Sequence, residues 1–411
     1  MRTLRKYAGP LSDRRFRLLW AGQGVSTAGD AAMLVALSLA LVSSTGSASA
    51  LGFVLAATAV PRLLLTLVGG VWADRLPRQK VMLAADAVNL VAQVGIGVEL
   101  LGTVDVGLVA VYAAASGAAA AFFVPASGAI VPSTVAPEHL ARANALVALT
   151  RQIAMVAGPA LATALVVTIG APWVFFLNAG TFAVSAVTLA LLRVPAVAAV
   201  RTGFWDELRQ GWREFSGRRW FWTNATAHIC WNLGRSAYQV LGPLVAVRQL
   251  GGELSWGLIA QGAAIGAVGG AVVALHVRPR RPLVVANLAL ALGAVPLVLL
   301  AVAAAPVVIA LAAGVMHAGL SVMQVIWQTT VQNHVPEHAL SRVLAYDWLG
   351  SLALAPLGLA LAGPLADRIG LPATLAGAAV LLAGGCLLVL AVPEVRRIGS
   401  RPHQDLPTAE E

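Results

Sequence analysis

Residues 70–80 read Gly70-Val71-Trp72-Ala73-Asp74-Arg75-Leu76-Pro77-Arg78-Gln79-Lys80, and apolar runs flank them at 50–73 and 81–102. Each run has the roughly 20 residues that a helix rising 1.5 Å per residue needs to cross a bilayer core. The quoted stretch therefore reads as a short charged loop between two membrane-crossing helices. The same alternation recurs along the whole chain. Twelve such runs lie near 18–42, 50–73, 81–102, 106–131, 143–169, 172–193, 220–247, 255–276, 282–304, 306–330, 343–366 and 371–393. The seventh is the most polar, carrying His228, Asn232, Arg235 and Gln239.

Composition supports this reading. Of 411 residues, 59% are apolar and 11% charged, against roughly 45–50% and 25% in soluble domains. So few charges cannot clothe a water-exposed surface, which excludes a soluble enzyme and a disordered scaffold. The net charge of +10 does not mark a nucleic-acid binder, because the basic residues sit in short loops between apolar runs. All but two of them, Lys6 and Lys80, are Arg, and with so much Ala, Val, Leu and Gly the composition points to a bacterial source. Cys230 and Cys386 both fall inside apolar runs and form neither a disulfide framework nor a metal pair. The first run is too long for a cleavable signal and is expected to stay as a membrane helix.

Cytoplasmic loops of membrane proteins are enriched in Lys and Arg. With both termini placed in the cytoplasm, 23 of the 28 basic residues fall in inner segments and only Arg248 and Arg368 in outer loops. Trp20, Trp72, Trp173, Trp220, Trp222, Trp256 and Trp327 lie near span ends, where indole favours the interface. The expected location is a bacterial inner membrane. The longest internal polar segment, 194–219, carries an apolar helical stripe at Phe204, Trp205, Leu208, Trp212 and Phe215, opposite Arg209 and Arg213. It reads as an amphipathic linker on the inner leaflet.

Pro137-Glu138-His139 follows the fourth span and Pro336-Glu337-His338 the tenth, each with an Arg (Arg142, Arg342) a few residues on. This pairing predicts two duplicated halves. The expected organisation is an N-terminal segment 1–17, a six-helix bundle 18–193, the linker 194–219, a second bundle 220–393 and an unstructured tail 394–411. No Walker A loop, H-E-x-x-H or G-x-S-x-G occurs. No enzymatic constellation, cofactor or metal site is expected. Work must draw on an ion gradient, the substrate's own gradient or a separate subunit.

The loop Gly70–Lys80 resembles the signature of the major facilitator superfamily, G-x-x-x-D-R-x-G-R-[RK]. Gly70, Asp74, Arg75 and Arg78 match, whereas Pro77 and Gln79 depart. The D-R-x-x-R form is similar to the branch of drug:proton antiporters and enterobactin-exporter-like proteins. Further matches are Phe16-Arg17-Leu18-Leu19-Trp20, Ser26-Thr27-Ala28-Gly29-Asp30, Phe123-Val124-Pro125-Ala126, Ala143-Asn144-Ala145-Leu146, Gly158-Pro159 and Phe176-Leu177-Asn178-Ala179. Gly158-Pro159 is the kernel of the superfamily's antiporter motif, without its flanking glycines. The resemblance implies twelve transmembrane helices in two pseudo-symmetric six-helix bundles. It also implies a gating loop that latches the first half to span 11 near Arg342, with Asp86 as a further latch partner.

Ionisable residues inside spans are costly and mark function. Asp30, Arg62, Arg151 and Arg235 lie within spans, and Asp347 near the inner end of span 11. Asp30 is the candidate proton-coupling group, with Arg151 as leading partner and Arg62 as the other; a static ion pair is the competing reading. The resemblance puts spans 1, 4, 7 and 10 around a central cavity. Its candidate lining is Phe122, Phe123, Trp231, Asn232, Tyr238, Gln239, His317, Gln324 and Trp327. Aromatic faces with a few polar groups suit an amphipathic organic solute and suit helix packing equally well. Gly262, Gly266, Gly269 and Gly270 predict close helix packing in span 8.

The expected activity is export of a small amphipathic molecule, drug or siderophore, in exchange for protons. The partners are the lipid bilayer, the substrate and protons, with no nucleic acid, and the chain is expected to act as a monomer. A facilitator or importer of the same fold, a transport-inactive sensor and the permease of an ATP-driven exporter stand as alternatives.

Overall fold

The computed structural model describes residues 9–75, 77–192, 219–335, 350–351 and 353–399, with backbone alone at 67–75, 129 and 141. All regular structure among these residues is helical. In chain order the helices are α1 (Arg14–Thr45), α2 (Ala48–Arg75), α3 (Arg78–Glu99), α4 (Val106–Ile130), α5 (Leu140–Ile169), α6 (Ala171–Ala190), α7 (Arg219–Gln249) and α8 (Glu253–Ala274). They continue as α9 (Pro282–Ala291), α10 (Ala294–Ala301), α11 (Pro306–His334), α12 (Ala355–Ile369), α13 (Leu371–Leu388) and α14 (Pro393–Arg397).

Ten helices among the described residues, with α9 and α10 taken as one, are long and apolar enough to cross a membrane. The two others at predicted span positions are α7, diluted by Asn224, His228, Asn232 and Arg235, and α12, described over only 15 residues. Large apolar side chains point outward, with Leu64 66% exposed and Leu275 and Val380 73% exposed. In water such a surface would aggregate; in lipid it is solvated.

Local chemistry sets the helix ends. Asp13 caps α1 by accepting the Arg15 N–H at 2.8 Å, and Asp105 caps α4 through the Gly107 and Leu108 N–H groups. These bonds satisfy donors that have no intrahelical partner. Gly46 ends α1 at φ 64, its N–H on the Val42 carbonyl. Ile169-Gly170-Ala171-Pro172 and Ile369-Gly370-Leu371-Pro372 make the same sharp reversal in the two halves, at φ 89, ψ 153 and φ 88, ψ 151. That conformation belongs to glycine, so this pair is a structural repeat. The Pro336-Glu337-His338 copy of the predicted repeat lies outside the described residues, as do Arg342 and Asp347.

The ninth predicted span is not one helix. It breaks at Leu292-Gly293 into α9 and α10, where Gly293 bonds back to the Leu290 carbonyl at 2.9 Å. Pro296 cannot donate to the 292 carbonyl, which frees that turn to tighten. A Cβ at 293 would sit 3.0 Å from the Trp231 Nε1. The tail predicted to be unstructured from 394 begins instead with helix α14, whose Val395 is fully buried. The predicted linker 194–219 lies outside the described residues except Arg219, the first residue of α7.

The chain divides into two compact units. The first comprises Met1–Arg201, Val240–Gln261 and Leu359–Pro364; the second comprises Thr202–Gln239, Gly262–Gly358 and Leu365–Glu411. At one end of the first unit, Phe16, Leu19, Met82, Ile130, Leu189 and Leu192 form a closed apolar cluster. At the α1–α2 turn of the same unit, Ser43 donates to Glu253 at 2.6 Å and Arg248 donates to the Gly46 carbonyl. In the second unit α8 lies directly against α11. A Cβ at Gly262, Gly266 or Gly270 would fall 2.0–2.4 Å from backbone atoms of Ala310, Gly314 or Ala318. Gly269, predicted with them, meets nothing within 4 Å.

Candidate functional site

Asp30 lies mid-way along α1, and its neighbours on the chain bring other helices to it. A Cβ at Gly29 would fall 2.1 Å from the Asn178 Oδ1, so glycine here leaves room for the Asn178 side chain of α6. Gly158 does the same for α5, where a Cβ would fall 2.6 Å from the Ala31 carbonyl. The Asn178 Nδ2 donates to Asp30 Oδ1 at 3.4 Å, and the Thr181 hydroxyl lies 2.9 Å from Asn178 Oδ1. That contact turns the amide so that its NH₂ faces the carboxylate. Asp30 makes no ion pair among the described residues. Arg62 lines the same cavity as Asp30.

The Asp30 side chain is accessible because it opens into two cavities. The larger, about 400 Å³, is lined by Asp30, Arg62, Asn89, Gln93 and Ser116, with Phe123, Phe175 and Phe182 as its apolar wall. The smaller, about 210 Å³, places Asp30 with Gln23, Thr27, Trp20 and Arg151. Trp20 ties α1 to α5 here by donating to the Thr150 hydroxyl at 3.0 Å. The two predicted arginine partners thus sit in different chambers that share Asp30, Ser26, Phe123 and Val124. Buried polar atoms seldom lack partners, yet Gln93 Oε1, Ser116 Oγ and Gln23 Nε2 have none among the described residues. All three belong to residues that line these cavities.

The other expected residues of this unit take different places. Phe122 packs against the apolar cluster, whereas Phe123 lines both cavities. Asp86 is fully buried in α3, beside Ser185 of α6, and neither of its carboxylate oxygens has a hydrogen-bond partner among the described residues. Gly70, Asp74 and Arg75 lie in the stretch described by backbone alone, so the expected latch is outside the described residues. Arg78 opens α3 with a half-buried side chain. Gln79, where the sequence departs from the expected basic residue, donates at 2.6 Å to the carbonyls of Leu189 and Leu192 at the end of α6.

In the second unit, α7 presents two polar stripes. Asn232 and Ser236 donate to the Ser351 and Ala355 carbonyls, which joins α7 to the chain entering α12. His228, Trp231, Arg235 and Tyr238, spaced i, i+3, i+7 and i+10, form the other stripe. His228 meets Trp327 edge-on at 4.9 Å, Arg235 lies over Trp231 at 5.8 Å, and Tyr238 lies 6.2 Å from His317. Trp327 also packs on Trp220 and Phe221, which makes it part of an aromatic cluster. Gln239 is half-buried and Gln324 exposed.

A family model described as the Major Facilitator Superfamily matches residues 19–355. The chain belongs to this superfamily. The multidrug efflux pump Tap of Mycobacterium tuberculosis is 29% identical over 404 residues, covering 93% of this chain and 94% of its own. The enterobactin exporter EntS of Salmonella typhimurium is 28% identical over 404 residues, with 94% of each chain covered. The nucleoside transporter NupG superposes with a TM-score of 0.73 at 9% identity, over 92% of this chain and 98% of its own. A bacterial homologue of the human lysosomal transporter Spinster, inward-facing and occupied, gives 0.67 at 14% identity, over 93% and 97%. At such identities the two structures speak for the fold alone.

Within this facilitator-superfamily chain, the sequence reading of the site missed Asn89, Gln93, Ser116 and the contact from Asn178. Each is a polar side chain inside a span, a signal that could have found them. What it could not supply was which of them face Asp30.

Proposed function

We propose that this chain exports a small amphipathic molecule across a bacterial inner membrane by alternating access, in exchange for protons. The reading takes 18–193 and 220–393 as two six-helix halves joined by 194–219, with both termini cytoplasmic and one chain as the working unit. A single observation carries it: an accessible carboxylate, Asp30, stands mid-helix between two polar-and-aromatic chambers with one arginine in each. A carboxylate there can hold a proton or face a cation, and it switches when its surroundings move. Similarity to a multidrug efflux pump and an enterobactin exporter supports the outward direction. The test is purified protein in liposomes under an imposed pH gradient, screened with amphipathic dyes and siderophores. Gradient-dependent accumulation without ATP is the expected result. Movement that only equilibrates would make the protein a facilitator.

Two consequences follow for variants. Gly29→Ala should displace the Asn178 amide without unfolding the helix bundle, because the new methyl meets the end of a flexible side chain. Thermal stability in detergent should change by no more than about 1 kcal/mol, while gradient-driven transport falls. Unaltered transport would show that the Asn178 contact is dispensable. The bonds from Ser43 to Glu253 and from Arg248 to Gly46 lie at the outer end in this orientation. Each contributes about 1 kcal/mol, so losing one shifts a two-state equilibrium about fivefold. Glu253→Ala should raise the rate at which an impermeant maleimide from outside labels Ser26→Cys, in a background without Cys230 and Cys386. A labelling rate equal to that of the parent would mean that this contact does not hold the outer side shut.

A further inference from the structure

Arg235 stands far from either end of α7, with 16 residues before it and 14 after. At 1.5 Å per residue it is more than about 20 Å from both ends, deep within the hydrocarbon zone. A guanidinium there requires a counter-charge or water. Among the described residues it has no ion pair and no hydrogen bond. The acidic residues described in the second unit are Asp367, in the last turn of α12, and Glu394, in α14. Neither forms an ion pair with Arg235.

What surrounds Arg235 is aromatic and polar. Its guanidinium lies 5.8 Å over the Trp231 ring, a contact that uses the face of the cation and leaves its five N–H donors unspent. Tyr238 lies one turn further along, beside His317 of α11 at 6.2 Å. The His317 Nδ1 donates to the Ala313 carbonyl at 3.0 Å, so its Nε2 is turned the other way as an acceptor. Trp231 and Tyr238 are buried, whereas Arg235 and His317 are half-exposed. Arg235 and His317 are therefore the two members whose polar groups a solute can reach.

We infer that Arg235, backed by Trp231 and Tyr238 and flanked by His317, is the cationic subsite for an aromatic organic anion carried by this protein. The carboxylate or other oxyanion of the solute supplies the missing counter-charge by accepting from the guanidinium fork. Its ring lies against the aromatic groups, and a hydroxyl or N–H of the solute can donate to His317 Nε2. This names the substrate class within the proposed export reading and rests on it. The competing account is a structural arginine held by Trp231 alone.

The experiment uses full-length protein in detergent and measures equilibrium binding of naphthalene-2-carboxylate and of its neutral isostere naphthalene-2-carboxamide. The unmodified protein should favour the carboxylate by about tenfold or more, the size of one charge-assisted bidentate pair. Arg235→Gln should erase that preference while the carboxamide still binds, which also shows that the variant is folded. If Arg235→Gln cannot be purified, Arg235→Lys decides: a reduced preference supports the subsite, and an unreduced one overturns it. Equal affinities in the unmodified protein, absence of carboxylate binding, or a preference that survives Arg235→Gln would each overturn it. Equal affinities in the unmodified protein together with intact transport in liposomes sink the subsite alone. Intact discrimination without transport sinks the export reading alone.

Discussion

Asp30→Asn is expected to abolish uphill transport in liposomes while leaving substrate binding and equilibrating counterflow in place. Asparagine has the shape of a protonated aspartate but cannot release a proton. A gradient of two pH units stores about 2.7 kcal/mol per proton, enough for about hundredfold accumulation at one proton per substrate. The unmodified protein should approach that figure, and the variant should accumulate nothing beyond equilibrium. The expectation is specific to Asp30 because its carboxylate opens into both cavities, where water can reach it. The Asn178 amide already donates to it and can equally accept an amide in its place after rotation. The fold should therefore survive. Continued accumulation in Asp30→Asn would return this residue to a packing role and place coupling elsewhere.

Gly266→Ala should give the largest loss of folded protein among conservative changes. The added methyl would lie 2.0 Å from the Gly314 carbonyl oxygen and 2.4 Å from its Cα. Both are backbone atoms, so no rotamer change relieves the clash and α8 must move away from α11. Overpacking of this kind costs about 1–3 kcal/mol and sometimes more. The same change would favour a helix by about 1 kcal/mol in open space. Gly269→Ala is the control, because nothing lies within 4 Å of its Cβ position. A melting temperature lowered by several degrees in Gly266→Ala, with Gly269→Ala equal to the parent or higher, is the expected pattern. Equal behaviour of the two variants would mean that the α8–α11 contact is not tight in the membrane.

These residues show how far a linear reading reaches. The glycine spacing in span 8 announced close packing, but spacing alone could not exclude Gly269, because that depends on where α11 lies. The ninth span read as one apolar run. The break at Leu292-Gly293, next to Pro296, brings the backbone within reach of the Trp231 indole, a neighbour that no linear reading places there. Asp30 stood out by its cost in hydrocarbon. Its setting did not, since Asn178 lies 148 positions away in sequence. Gln79 looked like a simple departure from a motif until the Leu189 and Leu192 carbonyls came within its reach.

The sequence by itself determined that this is an all-helical membrane protein of the facilitator superfamily, where most of its apolar helices lie, and which ionisable groups are out of place in lipid. Those properties follow from apolar run length, charge placement and local motifs, all of them short-range along the chain. Only the tertiary structure decided that Asp30 joins two chambers, that Arg62 and Arg151 fall in separate ones, and that Asp86 is enclosed against α6. It also decided that Arg235 has Trp231, Tyr238 and His317 beside it and, among the described residues, no ion pair. Those facts depend on the rotation and crossing of each helix, which small residues such as Gly29, Gly158 and Gly266 permit and which side-chain packing over the whole bundle selects.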